Sequence, residues 1–284
     1  MLSINSNLGA LNAQTQLDKS RKNTEQTLAQ FASGTQLSSA AVNAANTALS
    51  QSLEAQVRGD NQASSNALDG ISMVQTADTA LSQLQDNSQQ LQDLAIQAGD
   101  AALSSSNRQS LQQQADQLTQ SNSAIIQNTQ YNGTALLSSN NTLQFQTGPN
   151  GDSSNQISVS TSNLSASPAS GGLHSYNANL NATGTVDLSS PASALAAQGN
   201  IQTDLNTISS SRTQLGASSN QFTAAINNLQ NSSLNAQAAN SRISDTDYAA
   251  AAAQLAQQQI LGQAAIAIQG QANISQRSAL SLLG

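Results

Sequence analysis

The side chains able to do chemistry in this 284-residue chain are few, and their spacing decides what they can do. The only histidine, His174, sits in the run Gly171-Gly172-Leu173-His174-Ser175-Tyr176-Asn177. A hydrolytic triad or a metal site needs further partners held against the imidazole. No carboxylate or other ligand type lies near it in the sequence, so a solvent-exposed surface histidine is expected. Asp245 and Asp247 are the carboxylate pair that suggests a cation. A calcium loop needs a third oxygen ligand and a bidentate Glu, whereas this sequence runs straight into alanines 249–253. Charge compensation at a helix N-terminus accounts for the pair better. Gly171-Gly172 is not followed by Gly-Lys-Ser/Thr, so it is no phosphate loop. The chain has no cysteine, which excludes thiolate metal sites and disulfides, and one histidine cannot supply a His-Glu-x-x-His zinc motif. No catalytic residue, cofactor or metal ligand is expected, and the chain reads as a structural protein.

The elements that would carry any function must suit an unusual composition. Aromatic residues are only 2% of the chain, and Leu, Ile and Val are diluted by Ala, Ser, Asn and Gln. Such side chains fill a thick globular interior poorly but suffice for the thin seam between long helices. Charged residues are 8% and the net charge is −7, which argues against nucleic acid as a partner, since that needs a basic stripe. No run of 18 apolar residues suggests a membrane-spanning helix, and the termini lack the Lys/Arg-rich face of a membrane-lying one. The first residues lack a basic segment followed by an apolar one, so no secretory signal peptide is expected.

Both ends read as helix. Stepping alternately by four and three from Ile201 passes through Leu205, Ile208, Arg212, Leu215, Ser219, Phe222, Ile226, Leu229, Ser233, Ala236, Asn240 and Ile243. That is a heptad seam with polar interruptions. Ser190 before Pro191 marks the start of this helix. A second seam runs Leu53, Val57, Asp60, Ser64, Ala67, Ile71, Val74, Asp78 and Leu81, continues through Leu84, Leu91 and Ala95, and stops at Gly99. Leu111, Ala115, Leu118, Asn122 and Ile125 predict a shorter helix packed back antiparallel. The extreme ends offer Leu8, Leu11, Leu17, Leu28 and Phe31 up to Gly34, and Leu255, Leu261, Ala265, Ile268 and Ala272.

The middle differs. Residues 130–137 and 141–160 hold the turn signals Asn132-Gly133 and Pro149-Asn150-Gly151 beside short alternating runs, which predict β-hairpins. Residues 161–189 are rich in Ser, Asn and Gly with scattered apolar residues, and a surface-exposed insertion is expected there. The predicted fold is mainly α: a long antiparallel helical rod or coiled coil made by both ends, with a small β-hairpin region in the middle. Three divisions follow: 1–40 with 245–284 as a terminal helical domain, 41–140 with 190–244 as the rod, and 141–189 as the hairpin and surface insertion.

These residues resemble bacterial flagellin. The stretch 212–273 and Leu280-Ser281-Leu282-Leu283 look like the family's terminal region, and Ser241-Arg242-Ile243-Ser244-Asp245-Thr246-Asp247-Tyr248-Ala249 is similar to its Ser-Arg-Ile-x-Asp-x-Asp-Tyr-Ala. Residues 11–17, 32–34, 69–81 and 91–99 carry N-terminal motifs in the family's order, and 130–137 resembles the opening of its β-hairpin. The resemblance implies a subunit that polymerises into the flagellar filament and serves swimming. It implies export unfolded through the flagellar type III apparatus and an extracellular location. It implies Leu8, Leu11, Leu28, Phe31, Leu255, Leu261 and Ile268 as filament-core assembly residues, the first four lying against the last three. Ile71, Val74, Leu81, Leu205, Ile208, Phe222, Ile226 and Leu229 would form the rod seam. Its partners would be further copies of itself, an export chaperone, the filament cap and hook-associated proteins.

Two departures change the expectations. After Gly34 the family pattern Leu-Arg-Ile-Asn-Ser-Ala-Lys-Asp-Asp is replaced by residues 35–43, Thr-Gln-Leu-Ser-Ser-Ala-Ala-Val-Asn, so charged contacts there must give way to apolar and amide ones. Where flagellins that activate Toll-like receptor 5 carry Arg before Leu-x-Glu-Leu-Ala, this chain has Gln90, then Leu91, Gln92, Asp93 and Leu94. Weak or absent receptor activation is the expectation. The alternatives are the related hook–filament junction protein and a secreted coiled-coil translocator or adhesin, which explain the heptads but not the ordered motifs.

Overall fold

The computed structural model describes residues 7–38 and 43–281. Residues 39–42 of the charge-stripped turn, and Leu282 and Leu283 of the terminal motif, lie outside the described residues. Five α-helices carry most of the chain: α1 (Leu8–Ser33), α2 (Ala44–Ala98), α3 (Ser105–Asn128), α4 (Pro191–Ser244) and α5 (Tyr248–Ser281). Two antiparallel hairpins lie between α3 and α4: β1 (Gln130–Tyr131) with β2 (Thr134–Ala135), and β3 (Thr142–Gln146) with β4 (Gln156–Ser160). The fold is mainly α with a small β region, as the periodicity predicts.

Helix limits follow local chemistry. Ser190 Oγ accepts the Ser193 N–H at 3.1 Å, so Ser190 caps α4 and Pro191 takes its first position. Ser104 caps α3 by accepting the Asn107 N–H at 3.2 Å. α1 ends where Gly34 turns left-handed (φ 69°) and returns its N–H to Gln30 O. The Asn132-Gly133 turn has positive φ at both residues, 47° and 77°, the twist a two-residue hairpin needs.

The chain divides into two compact units, residues 1–57 with 234–284, and residues 58–233. In the second unit, α2 and α4 run antiparallel along the predicted seams. All ten of the predicted α4 seam positions in this unit, Ile201 to Ser233, are buried or half-buried. Phe222 is fully enclosed: its ring meets Phe145 edge-on at 5.3 Å and lies flat over Gly70, where a Cβ would stand 2.4 Å from a ring carbon. Two polar interruptions of the seams pair with each other, Arg212 Nε reaching Asp78 Oδ1 at 2.8 Å. That hydrogen bond raises the guanidinium pKa further. The side chains of this pair remain one-third or more exposed, so it contributes little to stability.

This unit has two apolar clusters separated by a polar belt. One cluster gathers Met73, Val74, Leu81, Leu84, Ile126, Ile208 and Phe222, and the other Leu91, Ala95, Ala115, Leu188 and Ile201. Between them α2 presents Asn87 and Ser88, α3 presents Asp116, Thr119, Asn122 and Ser123, and α4 presents Asp204, all buried. Asn87 Nδ2 donates to Asn122 Oδ1 at 2.9 Å across the belt.

Residues 161–189 depart from expectation. They form no surface insertion free of the bundle: Leu164, Leu173, Ser175, Val186 and Leu188 are buried. Scattered apolar residues without helical or strand period conceal this, because each is placed by its own turn rather than by a repeat.

Candidate functional site

The terminal helix pair is the candidate functional surface. α1 and α5 pack antiparallel within the first unit, and their mutual seam is narrow. From α1 it takes Ala13, Leu17, Ser20 and Thr27, spaced four, three and seven apart, and from α5 Ala251, Leu255, Gln258, Gly262 and Ala265. Hydroxyls and amides do much of the joining. Ser20 Oγ donates to Gln258 O at 2.8 Å, Gln269 Nε2 to Gln14 Oε1 at 2.9 Å, and Asn7 Nδ2 to Ala272 O at 3.3 Å. Phe31 and Tyr248 close one end with ring centroids 5.4 Å apart.

This arrangement corrects one expectation. Leu8, Leu11 and Leu28 do not lie against Leu261 and Ile268. All five point to solvent, Leu8 being 65% and Ile268 60% exposed, and only Phe31 and Leu255 are half-buried. Mostly small and polar residues hold the seam, with Leu17 and Leu255 as its large members, which leaves the other large side chains on the outer faces. Ile260, Ile266 and Ile274 are also exposed, so large apolar side chains interrupt the glutamine-rich outer surface of α5. Several exposed apolar side chains on one helix mark a surface that a partner can cover.

The link between α4 and α5 is built from the carboxylate pair. Asp247 Oδ1 accepts the N–H groups of Ala249 and Ala250 at 3.0 and 3.1 Å, so it caps α5. Asp245 accepts the hydroxyls of Ser241 and Ser244. The helix N-terminal reading holds for Asp247, whereas Asp245 follows the C-terminal end of α4 and takes the hydroxyls of that helix. The turn after Gly34 pairs with the same link. Thr35 bridges Asp245, Gln36 N donates to Ser244 O at 2.7 Å, and Gln36 Nε2 donates to Ile243 O at 2.8 Å. An amide thus makes a contact at the start of the segment that has lost its charges.

His174 also departs from expectation. Its Nδ1 lies 2.9 Å from Asp204 Oδ1, with the imidazole 28% exposed and the carboxylate 1%. Thirty residues of sequence separate the two, so no local spacing reveals the pair. Asp187, nearer in sequence, has its pKa lowered mainly by the Ser189 hydroxyl and its N–H, with Ser193 adding to this. Among the described residues no group of three or more His, Cys, Asp or Glu is placed to hold a metal ion. The rod-seam residues Val74, Leu81, Ile208, Phe222 and Leu229 are buried, and Ile71, Leu205 and Ile226 half-buried. Gln90 is exposed on α2 while Leu94 is buried below it; both border an open groove shared with Gln114, Gln117 and Leu118 of α3.

Comparison with known proteins decides what this helix pair belongs to. The bacterial flagellin N-terminal helical region matches residues 4–142, and the bacterial flagellin C-terminal helical region matches residues 199–283. The chain belongs to the bacterial flagellin family. It is 32% identical to a flagellin of Halalkalibacterium halodurans over 281 residues, covering 99% of both chains. It is also 32% identical to a flagellin of Bacillus subtilis over 304 residues, again 99% of both. A flagellar filament 30.7 kDa core protein of Treponema maltophilum is 28% identical over 99% of each chain. As a flagellin the chain is a non-catalytic structural subunit that polymerises into a filament serving motility. No helix among the described residues is long and apolar enough to cross a membrane, and the working location of a flagellin is outside the cell.

Proposed function

We propose that α1 and α5 together are the assembly surface of the filament, with Leu8, Leu11, Leu28, Phe31, Leu255, Leu261 and Ile268 buried between copies. The exposure of five of these seven large side chains in the single chain carries the reading. Each contributes about 1.5–3 kcal/mol when a neighbour covers it, so a few suffice to drive association. A head-to-tail contact of this kind does not close on itself and grows as a helix. In this reading 1–40 with 245–284 form the assembly domain, 41–140 with 190–244 the rod held by Ile71, Val74, Leu81, Leu205, Ile208, Phe222, Ile226 and Leu229, and 141–189 a hairpin and a segment packed on that rod.

Before assembly, the same apolar faces need a cover, which suits an export chaperone. After export by the flagellar type III route, the filament cap and hook-associated proteins meet the two ends of the polymer. Gln90 offers a neutral amide where an arginine would engage Toll-like receptor 5, so activation is weak or absent. Full reporter-cell activation at nanomolar dose would contradict that part. The assembly reading is tested by removing residues 245–284 and seeding the product with filament fragments. Electron microscopy should show no elongation while the helical signal of the remaining chain persists. Normal filaments from the truncated chain would defeat it.

A further inference from the structure

Residues 173–188 form neither helix nor strand, yet their backbone is tied along one stripe of α3. Gln112 makes two bonds to this segment, its Nε2 donating to Val186 O at 2.8 Å and its Oε1 accepting the Leu188 N–H at 2.7 Å. Asp116 Oδ1 accepts the Gly184 N–H at 2.8 Å, and Gln120 Nε2 donates to Ala182 O at 3.3 Å. Ser123 Oγ accepts the Asn177 N–H at 3.0 Å, and Gln127 Nε2 donates to Ala178 O at 3.0 Å. Spacings of three and four place these side chains on one helix face. Most of these bonds are between neutral groups at the bundle surface, where each adds little net stability.

The N-terminal end is held differently. Asp204 of α4, 1% exposed, accepts the His174 N–H at 2.8 Å and the Ser175 N–H at 2.9 Å, and its Oδ1 lies 2.9 Å from His174 Nδ1. Ser175 Oγ in turn accepts Asn122 Nδ2 at 3.4 Å, which joins the clamp to the polar belt. Bonds to a charged acceptor are the stronger kind, and a buried carboxylate deprived of its donors is costly. Next to this end Gly171 has φ 88°, and a Cβ on Gly172 would stand 1.8 Å from Ala166 O. At the other end, Ser189 and Ser190 lead into α4.

We propose that residues 173–188 are a strap that opens as one unit, pivoting at Gly171-Gly172 and at Ser189-Ser190, and that Asp204 is the positioning residue that keeps it shut. Opening withdraws Leu173, Val186 and Leu188 from the two apolar clusters and uncovers the Gln112-to-Gln127 stripe of α3, while the helices stay folded.

Amide hydrogen exchange read by mass spectrometry on the full-length monomer tests this. In the unaltered chain, amides of 173–188 should exchange with one common opening constant, larger than that of the seam of α4. Asp204→Asn turns one acceptor oxygen into a donor facing an N–H. It should speed exchange across 173–188 at least tenfold and leave α2 and α4 unchanged. His174→Ala keeps both backbone bonds and should change the strap less than threefold, while Gln112→Ala should loosen 186–188 alone. Strap amides that exchange independently, or together with the helices, would overturn the proposal in the unaltered chain, whatever the variants do. So would unchanged protection in Asp204→Asn, equal loss in α2 and α4, or a Gln112→Ala variant that frees the whole strap.

Discussion

The α2–α4 seam of residues 58–233 and the α1–α5 seam are both helix pairs with three-and-four spacing, yet they use their large side chains in opposite ways. In the first, Leu81, Leu84, Leu91, Ile201, Ile208 and Phe222 point inward and are fully enclosed. In the second, Leu17 is the one large buried side chain among Ala13, Ser20, Thr27, Ala251 and Ala265, while Leu8, Leu11, Ile260, Ile266 and Ile268 face water. The first seam stabilises its own chain. In the proposed assembly the second gains most of its apolar burial from another molecule, which is the thermodynamic requirement for an assembly element.

The contrast can be broken by substitution. Phe222→Ala removes the ring packed between Gly70 and Phe145, and should lower monomer stability by about 3–5 kcal/mol in a denaturant titration. A loss below about 1 kcal/mol would mean that this seam is not the core described here. Gly70→Ala overpacks the same spot by one methyl group against an enclosed ring and should cost about 1–3 kcal/mol, read as a lower Tm. The smallest expected effect concerns acid. The folded-state pKa of Asp187 is depressed by Ser189 and Ser193. Its contribution is therefore present above the ordinary aspartate value near 3.9, and is lost as pH falls through the lowered folded value. Asp187→Asn should slightly flatten the stability profile below about pH 4, and an unchanged acid limb would remove Asp187 from the account.

Much of the fold was legible from the chain itself. The heptads that begin at Ile201 and Leu53, the Ser190-Pro191 start and the Asn132-Gly133 turn each impose a local geometry, and local rules suffice to read them. The polar ties were not legible. Asp204 meets His174 across thirty residues, and Gln112 meets Val186 across seventy-four, in a chain so rich in amides and hydroxyls that no single one stands out. The direction of the terminal stripes was missed for a related reason. Periodicity marks Leu8, Leu28 and Ile268 as belonging to apolar faces but does not say whether a face meets its own chain or a neighbour. A stripe of mostly small and polar residues running beside each of them, Ala13 to Thr27 and Ala251 to Ala265, carried the missing signal.

The most direct test puts both seams in one experiment, with Leu261→Asp and Ile268→Asp combined in the full-length chain. Monomer unfolding and seeded filament growth are then measured on the same preparation. Outward-facing side chains predict unfolding within about 0.5 kcal/mol of the unaltered protein and at least a tenfold rise in the concentration needed for elongation. Normal elongation, or a monomer destabilised by several kcal/mol, would contradict the assignment of α1 and α5 as the surface that neighbouring copies complete.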